Sequence, residues 1–348
     1  MRPRIALNAL ALRPDGAGVS TYIRELLKVL PHEVDADLVA DVQADAVDEL
    51  PESVAARAHP VAAGVRRALA GLRSMGEADL VHGLDAALPI RSRVPTVATF
   101  HDLSVFDVPW AFSRRRAAGK RIQGRHAART ADVLIAVSSF TADRIQARFA
   151  REAIVIPEAP PADCVPPPAA AVADVRARYR LPDRFVLHVG TLEPRKDVPG
   201  LAAACRLVPV PLVLAGAAGA VSVPSEGEVM ALGFVPRSDL HALYGAAGVV
   251  AYPTRYEGFG LPPLEAMACG AAVVATRVAS LPEVLGDAAV LVPPGDVDVL
   301  TDVLREVLGD EARRGEMVAA GRERLRRFSW DRTAELTAEV YRALGVVS

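Results

Sequence analysis

The stretch Arg255–Thr276, RYEGFGLPPLEAMACGAAVVAT, decides how the chain is read. It opens with Glu257 and Glu265, separated by seven residues, with Gly258-Phe259-Gly260 directly after the first. Two glycines around one aromatic predict a loop whose backbone can approach a ligand closely, because no Cβ stands in the way. Leu261-Pro262-Pro263 predicts a helix start, where the N–H that proline lacks would have had no intrahelical acceptor. The helix is short, with small Ala266 and Ala268, and Gly270 suits the left-handed position beyond its end. AAVVAT then reads as a buried parallel strand. A glycine loop against a helix N-terminus is a ready anion site. Glu265, read as lying in the helix's first turn, is placed to reach a neighbouring diol. Taken singly, Glu257 is a solvated loop carboxylate and Glu265 a complement to the helix dipole. The ordered set of glycines, prolines, second carboxylate and strand favours a binding site.

On either side of this stretch, strands and helices alternate. Before it, strands are predicted at 4–10, 37–40, 79–82, 94–100, 132–137 and 154–156, with helices at 19–30, 64–73, 113–129 and 139–148. The proline-dense segment Pro157–Pro168, PEAPPADCVPPP, reads as a semi-rigid linker. The alternation then restarts, with strands at 185–190, 212–216, 229–234, 248–253, 272–276 and 289–292. An amphipathic helix from Ser329 to Leu344 closes the pattern. Such alternation predicts an α/β protein of two doubly wound parallel-sheet domains, with ligands at the carboxyl ends of the strands. The expected divisions are 1–160, a linker and lead-in helix at 161–180, 181–328, and the final helix at 329–348.

The 348 residues exceed one ordinary core and suit two domains. Hydrophobic residues make up 51%, charged residues 24%, and the net charge is −2, a globular balance that argues against a general nucleic-acid binder. Cys164, Cys205 and Cys269 are odd in number, far apart in sequence and outside any C-x-x-C pairing, which implies a reduced, cytoplasmic setting. The opening apolar stretch runs into Arg13-Pro14-Asp15-Gly16 and lacks a cleavable signal pattern. The uncharged run Leu207–Ser225 is broken by prolines and glycines and reads as strand plus loop, not a membrane span.

Candidate polar residues cluster at strand ends. Arg195 and Lys196 follow a buried strand and precede a helix, where two cations can clamp a diphosphate leaving group. His101-Asp102 ends VPTVATF, placing a histidine at a strand's carboxyl end, with Asp102 capping a local turn as the alternative reading. His82 also ends a strand, and His188, inside FVLHVG, reads as a core histidine. Gly16-Ala17-Gly18 lies in the first strand-to-helix loop but lacks the third glycine of a dinucleotide fingerprint. Asp35-Ala36-Asp37 and Asp296-Val297-Asp298 match a D-x-D metal pattern, but neither adjoins the phosphate loop, and Asp296 suits a helix N-cap. No His/Cys cluster is visible in the sequence, and no metal is assigned.

The Glu257–Glu265 stretch resembles the E-x7-E signature of retaining, nucleotide-sugar-dependent glycosyltransferases of family 4, which have GT-B architecture. GAGVSTYIRELLKVL resembles the family's first loop and helix, TFHDLSVFDVPWAF its H-D-L segment, TLEPRK its phosphate loop, and Gly233-Phe234-Val235 the segment that cradles the nucleotide base. The resemblance implies an N-terminal acceptor domain, a C-terminal nucleotide-sugar domain and a last helix crossing back to the first. It implies metal-independent transfer of a hexosyl group, mannosyl-like, from a GDP-, UDP- or TDP-linked donor to a hydroxyl acceptor: a glycan, a lipid-linked sugar or a small molecule. No separate cofactor is expected. Glu257 and His101 would meet the sugar, Arg195 and Lys196 the diphosphate, and Glu265 the ribose. Gly18 and the backbone of Gly258, Phe259, Gly260 and Leu261 would face sugar and phosphate, and Phe234 and Val235 the base. Thr191 stands where many relatives carry arginine, which gives Arg195 the second cation's place. With no evident carboxylate nucleophile, the leaving phosphate oxygen would assist the acceptor on the same face. Alternatives are a phosphorylase or epimerase on this architecture, or a sugar-nucleotide-binding protein without turnover. The basic helix 113–129 reads as a solvated face, with an anionic inner-membrane surface as a candidate partner.

Overall fold

The structure is a computed structural model describing residues 2–16, 18–62, 64–73, 75–208, 210–217, 219 and 229–348. The chain divides into two compact units, Met1–Ala159 with Phe328–Ser348, and Pro160–Arg327.

The first unit opens with β1 (Arg4–Asn8), α1 (Val19–Glu33), β2 (Asp37–Gln43), β3 (Ala55–His59), α2 (Gly64–Ala70), β4 (Leu80–Gly83) and β5 (Thr96–Phe100). It continues with a single helical turn α3 (Ser104–Asp107), then α4 (Arg114–Thr130), β6 (Val133–Ala136), α5 (Ser139–Phe149) and β7 (Ile154–Val155). The sheet is parallel throughout, in the order β3-β2-β1-β4-β5-β6-β7. Strand side chains alternate between faces, and both faces are covered. Ile5 and Leu7 of β1 join a cluster with Tyr22, Leu26 and Leu30 of α1, whereas Ala6 joins Ala98, Phe100 and Leu134 on the other face. β3 is an addition to the sequence reading. Its segment AARAH is alanine-rich and mostly exposed at the sheet edge, so it carries little strand signal.

The second unit contains α6 (Ala169–Tyr179), β8 (Val186–Val189), α7 (Val198–Arg206), β9 (Leu212–Ala215), β10 (Val229–Gly233), α8 (Arg237–Ala246) and β11 (Val249–Tyr252). It ends with α9 (Leu261–Ala268), β12 (Val273–Thr276), α10 (Leu281–Leu285), β13 (Val290–Val292), α11 (Val297–Gly309) and α12 (Glu311–Leu325). Its parallel sheet runs β10-β9-β8-β11-β12-β13. Strand order reverses between β8 and β11, the point where such sheets hold ligands. The loops leaving these two strands are Gly190–Asp197 and Pro253–Gly260. Part of the loop expected after β9, residues 220–228, lies outside the described residues.

The last helix, α13 (Trp330–Ala343), belongs to the first unit. The Ser329 side chain caps it by accepting from Arg332 N–H. Trp330, Ala334, Ala338 and Tyr341 bury one face of α13 in the cluster containing Tyr22 and Leu26. The Tyr341 hydroxyl meets His82 Nδ1 at 2.6 Å, and Thr333 Oγ1 donates to Pro157 O at 2.7 Å. His82 is therefore a core residue: its Nε2 meets Thr99 Oγ1 at 2.8 Å, and burial, with His101 nearby, pushes its pKa down to about 3.

Candidate functional site

The loop after β11 has a shape its sequence requires. Gly260 has φ +111°, and a Cβ there would lie 2.7 Å from Leu281 Cδ2, so only glycine fits. Phe259 and Leu261 are buried and anchor the turn, and Gly258 is buried with them. Ser280 Oγ lies 3.0 Å from Glu257 O and 2.8 Å from Phe259 O, pinning the loop's carbonyls from beneath. Pro262 then opens α9 in its first turn, and Gly270, at φ +83°, follows its end. Glu265 is the fifth residue of this helix. It stands in the second turn, not the first, because the helix begins at Leu261 and Pro262 and Pro263 occupy the opening turn. The Tyr244 hydroxyl of α8 donates to Glu265 Oε2 at 3.2 Å, and burial raises the Glu265 pKa.

The loop after β8 delivers both expected cations. Pro194–Lys196 form one tight 3-10 turn, and Asp197 follows at φ +51°. Thr254 Oγ1 donates to Arg195 O at 3.1 Å, and Arg255 N–H donates to the same oxygen at 2.7 Å, tying the β8 and β11 loops together. Arg195 and Lys196 both donate to Oε1 of Glu257. Arg195 Nε also meets Glu193 Oε2 at 2.9 Å, and its Nη1 donates to Tyr256 O at 2.9 Å. The Tyr252 hydroxyl contacts Lys196 Nζ and lies 3.2 Å from Glu257 Oε1, while the ammonium stands 4.4 Å from the Tyr252 ring centroid.

The side chains of Lys196, Glu257 and Arg195 are only 7%, 12% and 14% exposed, so these charges interact with little solvent screening. Burial opposes ionisation of Glu257, but Arg195 and Lys196 outweigh it and hold the carboxyl at about 2. Burial, with Arg195 alongside, draws Lys196 down to about 8 despite the Glu257 carboxylate. Glu193, Glu257, Arg195 and Lys196 thus form a locally neutral quartet at the switch point. Beneath it, His188 is fully buried, donates through Nδ1 to Ala251 O at 3.0 Å, and stacks on Tyr252. The carbonyl acceptor makes Nδ1 the donor, and Nε2 has no partner among the described residues. Burial lowers the His188 pKa to about 4.

Phe234 and Val235 follow β10. Phe234 is 53% exposed, a bare aromatic face, and Val235 is buried. In the first unit, Gly18 precedes α1 at φ +61°, with nothing within 4 Å of the place a Cβ would take. His101, after β5, places Nδ1 2.8 Å from Glu158 Oε1 and Nε2 2.8 Å from Leu84 O. Burial would lower its pKa, but the Glu158 hydrogen bond and charge prevail and raise it. Both ring nitrogens are therefore occupied within the unit, and Tyr22 packs edge-on at 4.6 Å between centroids. Asp102 caps the following turn through Ser104 N–H at 2.9 Å. Asp296 caps α11 through Val299 N–H at 3.0 Å, as its position suggests, and Asp35 pairs with Arg2 at 2.8 Å.

The structure adds partners the sequence did not disclose. Glu158, Glu193, Tyr244 and Tyr252 all touch candidate residues; Glu193 and Tyr252 lie near one partner in sequence, while Glu158 and Tyr244 lie far from theirs. The absence of a His/Cys cluster in the linear sequence is also corrected: Cys164 Sγ and His241 Nε2 lie 3.3 Å apart. In α4, Lys120 pairs with Asp85 at 2.7 Å, Arg121 donates to Val105 O at 2.7 Å, and Arg125 lies over the Phe106 ring. Much of that helix's charge is thus engaged internally. Among the described residues, no helix is long and apolar enough to cross a membrane.

Two Rossmann-like parallel-sheet units, one with a carboxylate–cation cluster at its switch point, define the class as a glycosyltransferase of GT-B architecture. Two family models match the chain: Glycosyltransferase Family 4 over residues 16–159 and Glycosyl transferases group 1 over 175–324. The O-antigen chain mannosyltransferase B of Escherichia coli is 35% identical, over 76% of this chain and 74% of that protein. Sucrose-phosphate synthase from Thermosynechococcus elongatus superposes with a TM-score of 0.78 at 23% identity, covering 99% of both chains. Anabaena HepE, in complex with UDP-glucose, superposes at 0.76 with 19% identity, covering 98% of this chain and all of that one. The chain belongs to the family 4 glycosyltransferases.

Proposed function

We propose that the chain transfers a hexosyl group, with mannosyl as the first candidate, from a nucleotide-diphosphate sugar to a hydroxyl acceptor, with retention and without a metal. The observation that carries this reading is the convergence of Arg195 and Lys196 on Glu257 at the sheet's switch point. Mannosyl is favoured by the O-antigen mannosyltransferase relative. The UDP-glucose held by a structural neighbour supports a nucleotide-sugar donor, while GDP-, UDP- and TDP-linked sugars are all to be tried.

In this reading the donor's diphosphate meets Arg195 and Lys196. The Glu257 carboxylate, released from one or both cations, turns to the sugar hydroxyls. The resting pairing holds both cations at the switch point, so the rearrangement on donor binding falls on Glu257, whose contacts the diphosphate replaces. Glu265, steadied by Tyr244, accepts from the ribose hydroxyls, and the segment Gly233-Phe234-Val235 takes the base. The backbone of Gly258, Phe259, Gly260 and Leu261 lies beside sugar and phosphate. Gly18 offers a loop without a side chain to the phosphates. His101, held by Glu158 and Leu84, keeps the sugar-side role that the family resemblance gives it.

In the transfer step, the bond from the anomeric carbon to the phosphate oxygen breaks. The acceptor oxygen bonds on the same face, and its proton passes to the departing phosphate. Developing negative charge falls on the oxygen nearest the two cations, where it is stabilised most.

The test is a donor panel with EDTA present, reading nucleotide diphosphate release and the product's anomeric configuration by NMR. Expected is a retained product, formed in EDTA without added Mg²⁺ or Mn²⁺. An inverted product would overturn the same-face step, and activity restored only by Mg²⁺ or Mn²⁺ would overturn the side-chain clamp. Donor binding without release of diphosphate under any acceptor would favour a binding protein. The acceptor class, and attachment of α4 to an anionic inner-membrane surface through exposed residues such as Arg114 and Arg129, belong to the same proposal.

A further inference from the structure

Away from the cation loop, three side chains of metal-ligating chemistry meet where the proline-dense segment lies against α8. Asp163 and Cys164 come from the segment, and His241 from the helix. One ligand atom of each lies within 4.8 Å of the others. Cys164 Sγ and His241 Nε2 are 3.3 Å apart. Ligands at roughly 2.0–2.3 Å from a tetrahedral ion stand roughly 3.3–3.8 Å from one another, so the pair is already at coordinating separation and the carboxylate needs only a small approach.

The chemistry of the set is selective. A thiolate and an imidazole favour zinc over magnesium or calcium, which take oxygen ligands. Cys164 is buried, His241 half-buried and Asp163 exposed, so the sulfur is shielded while an ion can enter from the carboxylate side. Arg237 already grips Asp163, through Nη2 at 2.5 Å and Nε at 3.1 Å. A carboxylate has about four lone-pair positions, so Asp163 can face a metal with one and keep Arg237 on others, an arrangement that orients a first ligand.

We propose that Asp163, Cys164 and His241 form a zinc-class site that pins the 163–164 segment to α8. On binding, the Cys164 thiol gives its proton to solvent and a sulfur–metal bond forms. Thiolate and aspartate then offset most of the ion's charge, with Arg237 retaining its hold on the carboxylate. Nothing in the transfer reaction calls on this ion. Its consequence is mechanical, because Tyr244, three residues beyond His241 on α8, holds Glu265. Fixing α8 therefore fixes the partner of the carboxylate assigned to the ribose.

The experiment uses the full chain, freed of metal by dialysis against chelator and titrated with Co²⁺ under reducing conditions. Expected is one equivalent bound, with a thiolate-to-cobalt charge-transfer band that Zn²⁺ bleaches and Mg²⁺ leaves. Cys164→Ser should remove the band, and His241→Gln should weaken binding at least tenfold. Cys205→Ser should change neither. Two variants guard against one failing to fold, and circular dichroism checks each. A wild-type chain that takes up no cobalt overturns the proposal. So does a folded Cys164→Ser variant that keeps the band, or loss of the band on Cys269→Ser alone.

Discussion

Lys196→Ala removes the ammonium that stands between Tyr252 and Glu257, and two effects must be separated. One is structural. The lysine side chain is 7% exposed and contacts a carboxylate that is 12% exposed, so its loss disturbs a buried ion pair. Stranding a buried charge costs roughly 3–5 kcal/mol, but Arg195 stays on the same oxygen, so the loss here falls below that range. The other effect is catalytic. A cation facing the departing diphosphate acts more on the transition state than on the bound donor, and its removal should cost about 2–4 kcal/mol there. That corresponds to a turnover loss of roughly a hundred- to a thousandfold. The comparator is Tyr252→Phe, which deletes the hydroxyl touching both groups but leaves the ammonium in place. It should lower Tm yet reduce kcat by roughly tenfold or less. The assay is steady-state release of nucleotide diphosphate with saturating donor, alongside thermal unfolding of each variant. Wild-type kcat in a folded Lys196→Ala enzyme would refute the clamp. Equal kcat losses in both variants at equal Tm would show that the lysine only holds the loop.

Arg195→Ala should lose turnover by a factor comparable to Lys196→Ala, and adding Thr191→Arg in that background should restore part of it. A folded double variant as inactive as the single one would remove Arg195 from the role of second cation. Glu265→Ala should raise the donor dissociation constant with a smaller change in kcat, measured by calorimetry and initial rates. Unchanged donor affinity with reduced turnover would assign Glu265 elsewhere. Because Lys196 is lowered from its ordinary 10.5 to about 8, kcat/KM should decline above about pH 8, and Lys196→Arg should lack that limb. Stability should move oppositely: between about pH 8 and 10.5 the unfolded chain binds more protons at this lysine, so its contribution to stability rises with pH. Urea unfolding across that window, compared with Lys196→Arg, checks the sign.

Local signals carried most of the architecture. Val249–Tyr252, between Gly248 and Pro253, and Val273–Thr276 are fully buried runs, and each forms the strand its pattern predicts. The acid, the cations and the glycine loop were legible because each sits where a strand ends, and strand ends at a switch point must face one another. Glu158 and Tyr244 were not, because a hydrogen bond between residues distant in sequence leaves no periodic trace, and the contact of Tyr252 with Lys196 is hidden in the same way. The strand-end position of His101 can be read from the sequence, but its two intramolecular partners follow only from the packing around Leu84 and Glu158. β3 was missed for the reverse reason, since an edge strand of alanines is specified by its neighbour Val39–Gln43 rather than by its own residues.

The placement of α13 bears on the order in which the molecule can be completed. Everything from Pro160 to Arg327 is translated before Trp330 and Tyr341 emerge, yet those two side chains form a wall of the first unit's core. A nascent chain can therefore finish its later unit while the earlier one still lacks a helix. Until α13 docks, Tyr22 and Leu26 have an open flank, and His82 waits for the hydroxyl of Tyr341. Bringing the ends of so long an excursion together costs about 4–5 kcal/mol in loop entropy if the intervening chain is flexible, and less once it has folded. The first unit's core can thus be completed only after the whole second unit has been synthesised.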